Sequence, residues 1–195
     1  MIQANIAECP GCGRSLTPDM KVCPACDNAV IITSFTSVFS MPMPVVNKYA
    51  NAYRKALAEE PEDQSLNNAI AMCYLKLKLY DKALPAFEKA MEDNFDNSES
   101  FFYAAVCLLK GKKAFLAMRP EINKIEEYLN AACMIEPRGY YYLFWAYIKK
   151  DYYERKAIRS TPTSDEMLDQ AEANGCSEAD ARQLFEILGV ECPFL

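Results

Sequence analysis

The chain has 195 residues, 51% of them hydrophobic and 12% aromatic, which is enough to build a core and too much for a disordered or low-complexity segment. A net charge of −6 argues against a nucleic-acid backbone as the main partner, because that affinity is built from clustered Lys and Arg. No histidine occurs, which removes the commonest neutral-pH general base and most catalytic zinc triads, so a protein without enzymatic activity is expected.

At the N-terminus, Cys9-Pro10-Gly11-Cys12-Gly13 and Cys23-Pro24-Ala25-Cys26-Asp27 form two C-x2-C knuckles. Each such turn presents two sulfurs, and Zn2+ takes four thiolates in a tetrahedron at ~2.3 Å, so the spacing predicts one structural Zn2+ on Cys9, Cys12, Cys23 and Cys26 within a small module over residues 1–28. Four protein ligands leave no open position for catalysis. A redox role for C-x2-C needs a thioredoxin-like βαβ context, which the flanking sequence lacks. The module resembles the short zinc ribbons in which each knuckle reads C-P-x-C followed by Gly, and it departs from them only at Asp27. A nucleic-acid adaptor acting through this ribbon would have Arg14 and Lys21 set against Glu8, Asp19 and Asp27, a poor electrostatic footprint. Nine cysteines with no signal-like stretch ahead of Cys9 fit a reducing cytoplasm.

Residues 29–46 carry no charge and approach the length of a spanning helix, which keeps a membrane-anchored scaffold as an alternative. Against that, five hydroxyl residues dilute the segment, and Pro42 and Pro44 break a helix. Ile31, Phe35, Phe39 and Met41 alternate with Ser34, Thr36 and Ser40, which predicts a half-buried strand followed by a stiff Met-Pro-Met-Pro connector.

From Asn47 to the C-terminus the pattern is helical. Helices are expected from Asn47 to Glu60, from Asp63 to Lys78, from Asp81 to Glu92 with Pro85 in its first turn, and from Ser98 to a C′ glycine at Gly111. After an insertion over 112–120 come helices from Glu121 to Glu136 and from Gly139 to about Ile158. A capping box at Thr163 and Glu166 opens the next helix, which runs to Asn174, and Ser177 caps a last one ending before Gly189.

Within these helices a pattern recurs at ~34 residues, the period of a two-helix repeat. Ile70, Ala71 and Tyr74 move forward onto Ala104, Ala105 and Leu108, while Phe87 and Ala90 move back onto Tyr53 and Ala56. With Ala83, Phe87 and Ala90 in an A-x3-F-x2-A arrangement and Pro61 and Pro137 closing neighbouring units, residues 47–195 resemble the tetratricopeptide repeat. That resemblance implies an all-α superhelical solenoid, capped here by the two C-terminal helices, that binds a protein or peptide partner. Nucleic acid, membrane and small-molecule substrates are not expected partners. It also implies a concave groove lined by the first helix of each unit, at Asn68, Met72 and Lys76, then Phe102, Val106 and Lys110, then Leu143, Tyr147 and Lys150. Met72 and Val106 stand where the carboxylate-clamping members of the family need polar residues, so that specificity does not carry over.

Cys73, Cys107 and Cys133 fall on apolar helical faces and are expected as buried free thiols, with Cys176 and Cys192 free at the ends of the last helix. The aromatic run from Tyr140 to Tyr153 is denser than one helix can bury, so part of it is expected to show.

Overall fold

The computed structural model describes residues 6–17, 19–92 and 95–194, and among these the regular structure is helical, with two isolated β-bridges in the cysteine-rich segment. The chain divides into two compact units, Met1–Asn94 and Phe95–Leu195.

In the first unit the knuckles lead into α1 (Phe35–Phe39), α2 (Met43–Glu59), α3 (Gln64–Lys76) and α4 (Tyr80–Met91). The strand expected over residues 29–46 is not there. Its centre is one helical turn that buries Phe35 and Val38, three residues apart, where alternation would have turned Val38 outward. α1 packs on α3, and that burial outweighs the β-propensity of its residues. The prolines read as a connector instead open α2, with Pro42 as N-cap and Pro44 in the first turn, positions whose N–H would have no partner in any case. Asn47, expected as a cap, therefore lies inside the helix and donates from Nδ2 to the Met43 carbonyl at 3.1 Å. No helix among the described residues is long and apolar enough to cross a membrane.

α2 buries Val46, Tyr49, Ala50 and Tyr53, a stripe at helical spacing. Asp63 caps α3 by accepting the Leu66 N–H at 2.8 Å, and α3 is buried continuously from Leu66 to Cys73 because α1, α2 and α4 all lie against it. α4 turns Ala83, Phe87, Ala90 and Met91 inward. Since α4 starts at Tyr80, Pro85 falls in its second turn, past the positions where the missing N–H costs nothing.

The second unit runs through α5 (Ser98–Leu109), a 3-10 turn at Ala114–Leu116, α6 (Arg119–Ile135), α7 (Gly139–Ile148), a π-helical turn at Lys149–Glu154, α8 (Ser164–Ala173) and α9 (Glu178–Leu188). α5 pairs with α6, α7 pairs with α8, and α9 packs on α7. Lys110 (φ 51°) and Gly111 (φ 70°) together end α5. Pro120 lies in the first turn of α6, and the Glu121 carboxylate accepts the Met118 N–H at 2.8 Å, which moves the helix start two residues ahead of the expected Glu121. Thr163 and Ser177 cap α8 and α9 as expected. Gly139 is where α7 meets the α8–α9 junction backbone to backbone: a Cβ there would stand 2.4 Å from the Cys176 nitrogen and 2.6 Å from the Ala171 carbonyl oxygen.

The helix from Gly139 changes character at Ile148, because Lys149–Glu154 bonds as a π turn. The extra residue lets Ile148, Lys149, Asp151, Tyr152 and Tyr153 all face inward. The buried charges are partnered. Lys149 Nζ meets Glu126 Oε1 at 2.6 Å, and Glu126 also accepts from Trp145 Nε1 at 3.0 Å and from the Tyr153 hydroxyl. Asp151 accepts the Phe115 N–H at 2.9 Å and the Tyr147 hydroxyl at 3.3 Å, and it pairs with Arg155 at 2.6 Å. The expected insertion is therefore an ordered turn clipped to the π segment, not a loose loop.

Candidate metal centre and expected groove

The two knuckles repeat each other fourteen residues apart. In the first, the Cys9 N–H donates to the Arg14 carbonyl and the Gly13 N–H to the Cys9 carbonyl, both at 2.8 Å; in the second, the Cys23 N–H donates to Asn28 and the Asp27 N–H to Cys23, both at 2.9 Å. The bridges Glu8 to Ser15 and Val22 to Ala29 tie the arms of each knuckle together. Both turns need a left-handed residue after the second cysteine, and Gly13 (φ 79°) and Asp27 (φ 54°) supply it. Asp27, the one departure from the ribbon pattern, thus makes the turn that glycine makes in the first knuckle, using a residue type that tolerates this conformation.

These turns bring the four sulfurs within 4.8 Å of one another, with Cys9 to Cys26 at 3.7 Å and Cys12 to Cys23 at 3.6 Å. Four thiolates held ~2.3 Å from one ion sit ~3.8 Å apart, so the cluster matches a tetrahedral S4 site with little adjustment. Cys9 and Cys23 are buried and Cys12 is exposed, which leaves a path for an ion from one side. The Ala25 N–H, ahead of the neighbouring thiols, holds the Cys23 thiol down at about 7. Burial raises Cys9, and Cys26, although the Asn28 N–H favours its thiolate, is pushed up to about 12 by burial and by the other three thiols. Cys23 is ready to ionise near neutral pH, and Cys9 and Cys26 would lose their protons to an arriving cation.

The site is fastened to α2 by two tyrosines one turn apart. Tyr49 donates its hydroxyl to the Ala29 carbonyl at 3.0 Å. The Tyr53 hydroxyl donates to the Val30 carbonyl and accepts the Ile32 N–H, both at 3.0 Å, closing off the chain as it leaves the second knuckle. Gly11 allows the first knuckle to approach: a Cβ there would lie 3.0 Å from Asn28 Nδ2 and 3.4 Å from the Tyr49 hydroxyl. Sequence reasoning missed both tyrosines, because their partners are backbone groups that leave no mark on residue identity.

No family model and no curated protein matches the chain. Among solved structures, MamA MSR-1 superimposes with a TM-score of 0.49 at 16% identity, covering 78% of this chain and 87% of that one. MamA AMB-1 does so with a TM-score of 0.48 at 16% identity, covering 72% and 88%. A likeness at that level says nothing of what this chain binds.

The groove positions carried over from the repeat resemblance do not form an accessible surface. Met72, Phe102, Val106, Leu143 and Tyr147 are interior residues, none more than 5% exposed, and Asn68 is buried as well. Phe102 packs between Tyr140, Tyr141 and Phe144, with ring centroids at 5.1, 4.6 and 5.9 Å. Tyr147 meets Phe185 of α9 edge-on at 5.4 Å, and its hydroxyl accepts the Ala114 N–H at 3.2 Å. Lys76 is half-buried and donates to the Phe39 carbonyl of α1 at 2.6 Å. Only Lys110 and Lys150 are exposed, the first at the left-handed end of α5 and the second beside Glu154 at 3.4 Å. The physical reason is covering: α1 lies over α3, and α8 and α9 lie over α7, so first-helix faces that a longer repeat array leaves open are interior here.

Of the aromatic run, Tyr141, Phe144, Tyr147, Tyr152 and Tyr153 are buried, while Tyr140, Tyr142 and Trp145 keep part of their surface. Cys73, Cys107 and Cys133 are buried free thiols, and burial lifts the Cys73 and Cys133 thiols to about 12. Cys176 and Cys192 are half-buried and free.

Proposed function

We propose that this chain is a noncatalytic scaffold for protein or peptide partners, and that one structural Zn2+ held by Cys9, Cys12, Cys23 and Cys26 folds its N-terminal ribbon. The observation that carries the reading is the four-sulfur cluster, whose spacing suits a tetrahedral thiolate site and whose four ligands would fill it. Around it the ribbon buries few apolar side chains, chiefly Ile6 and Val30, so a metal would supply folding free energy of ~10 kcal/mol or more. Paired helices that each bury one face on a neighbour leave their outer faces for partners. With Phe102 and Tyr147 committed to the interior, the half-exposed Tyr142 and Trp145 take over as candidate anchors, since partly exposed Tyr and Trp supply contact area at low entropic cost.

Metal analysis of protein purified without added zinc is expected to give one zinc per chain, and the Cys12→Ser variant should lose it. A stoichiometry near zero, or full zinc in Cys12→Ser, refutes the ribbon reading. For the scaffold, affinity capture from the native cell extract should yield a partner that Tyr142→Ala retains poorly while melting like the wild type. No capture, or equal capture by both, refutes the anchor.

A further inference from the structure

One face of the second unit differs from the rest of this acidic chain. The stretches 112–119 (KKAFLAMR) and 155–159 (RKAIR) each carry three cations and no carboxylate, in a chain whose net charge is −6. The fold joins them. The Phe115 N–H is held by Asp151, the Phe115 ring lies 4.3 Å from the Arg155 guanidinium and 5.2 Å from Lys156 Nζ, and Arg119 stands over Tyr153 at 4.9 Å. Carboxylates on the elements that carry this face are already engaged: Asp151 with Arg155, Glu121 with the Met118 N–H, Glu126 with Lys149, and Glu154 with Lys150 and the Ser164 hydroxyl. Among the described residues none lies within ion-pairing distance of Lys112, Lys113, Arg119 or Lys156. Within the first stretch, between Lys113 and Arg119, Leu116 and Met118 are 68% and 67% exposed, apolar side chains that project into solvent while their neighbour Ala114 is buried.

We infer that this face docks on an anionic lipid surface, with Leu116 and Met118 entering the boundary between headgroups and acyl chains and Lys112, Lys113, Arg119 and Lys156 meeting the phosphates. The chemistry is complementary on both counts. Cations near a negatively charged leaflet are attracted to it, and projecting apolar side chains gain by leaving water at a depth where flanking cations can still reach the headgroups. An acidic protein would satisfy the charges too. Side chains this exposed stand out from the surface instead of lining a recess, which suits a fluid interface better than a folded partner. The turn is held from behind by the Tyr147 and Asp151 hydrogen bonds, so little ordering is left to do on contact. This inference is independent of the scaffold reading and of the metal.

The test is co-sedimentation of the full chain with vesicles of phosphatidylcholine alone and of phosphatidylcholine containing phosphatidylglycerol. Binding is expected only to the anionic vesicles and should fall steeply as salt is raised. Removing the charge at Lys112 or Lys113 should lower the partition coefficient by about fivefold each, so Lys112→Gln/Lys113→Gln should lower it by more than tenfold. Leu116→Ser/Met118→Ser should lower it by about tenfold or more, with a melting temperature no lower than the wild type's, because both side chains are exposed and Ser at the N-cap of α6 adds a capping hydroxyl beside Glu121. Absence of wild-type binding to anionic vesicles overturns the inference. So does a Leu116→Ser/Met118→Ser variant that binds like the wild type, since that is adsorption by charge alone. Soluble poly-glutamate that binds in a Leu116- and Met118-dependent way while vesicles do not would assign the face to an acidic protein and equally overturn it.

Discussion

Tyr53 offers the sharpest test of how the cysteine ribbon is joined to the helices. Its hydroxyl is fully buried and makes two hydrogen bonds, one to the Val30 carbonyl and one from the Ile32 N–H, so Tyr53→Phe removes a single oxygen and strands a donor and an acceptor together. Each stranded buried group costs about 1–3 kcal/mol, while the aromatic ring and its packing survive, so a loss of about 2–6 kcal/mol is expected. At roughly 4 °C per kcal/mol for a domain of this size, the melting temperature of the first unit should fall by about 8–24 °C. Tyr49→Phe strands only the Ala29 carbonyl and should cost about 1 kcal/mol. The assay is thermal melting of both variants, followed by the rate at which each, after loading with Zn2+, yields it to a colorimetric chelator; Tyr53→Phe should release faster, because the exit from the second knuckle is no longer held. If Tyr53→Phe melts like the wild type, or less severely affected than Tyr49→Phe, the ribbon is not fastened as described.

Phe102→Ala and Tyr147→Ala should each destabilise the second unit by about 3–5 kcal/mol in a melting experiment, as core aromatics do, and a stable variant of either would return it to the surface. Gly139→Ala should cost about 1–3 kcal/mol or more, since its Cβ would meet backbone on two sides; a melting curve like the wild type's would show that the α7–α8 contact has slack. Glu126 is held below its ordinary range by the opposing influence of Lys149 and its other donors against burial, so its contribution is present above about pH 4.3 and is lost as pH falls through its lower folded value. Urea unfolding across that window should show the second unit weakening, and Glu126→Gln should already be weak at neutral pH, by about 3–5 kcal/mol, because Lys149 is left buried without its partner.

The helices with strong punctuation were legible. Asp63, Thr163 and Ser177 announce their caps, and Gly189 its stop, through local chemistry that needs no tertiary context. The cysteine knuckles were legible for the same reason, because the spacing fixes the turn and the turn brings the sulfurs together. What could not be read depended on covering. The residues 35–39 look like strand until α3 is available to bury Phe35 and Val38, and a groove face stays a groove only if no later element lies on it. Phe102 and Tyr147 carry the right residue types at the right repeat positions, but nothing local to them reveals Tyr141 or Phe185 on the far side. The docking tyrosines, Tyr49 and Tyr53, were visible as a helical stripe and invisible as hydrogen-bond donors.

The π turn at Lys149–Glu154 has a consequence for how the chain can be edited and compared. A helix that closes its hydrogen bonds one residue later spends an additional residue, so everything beyond it is rotated by about 100° from where an unbroken α-helix would point it. Deleting one residue there would give back an ordinary helix and, in the same stroke, swing the 155–159 cations off the face they share with Phe115. A change of length at this place cannot be absorbed. The strict repeat period is already lost at the 112–120 insertion, and the π turn adds one further residue of slippage to any count carried past Ile148.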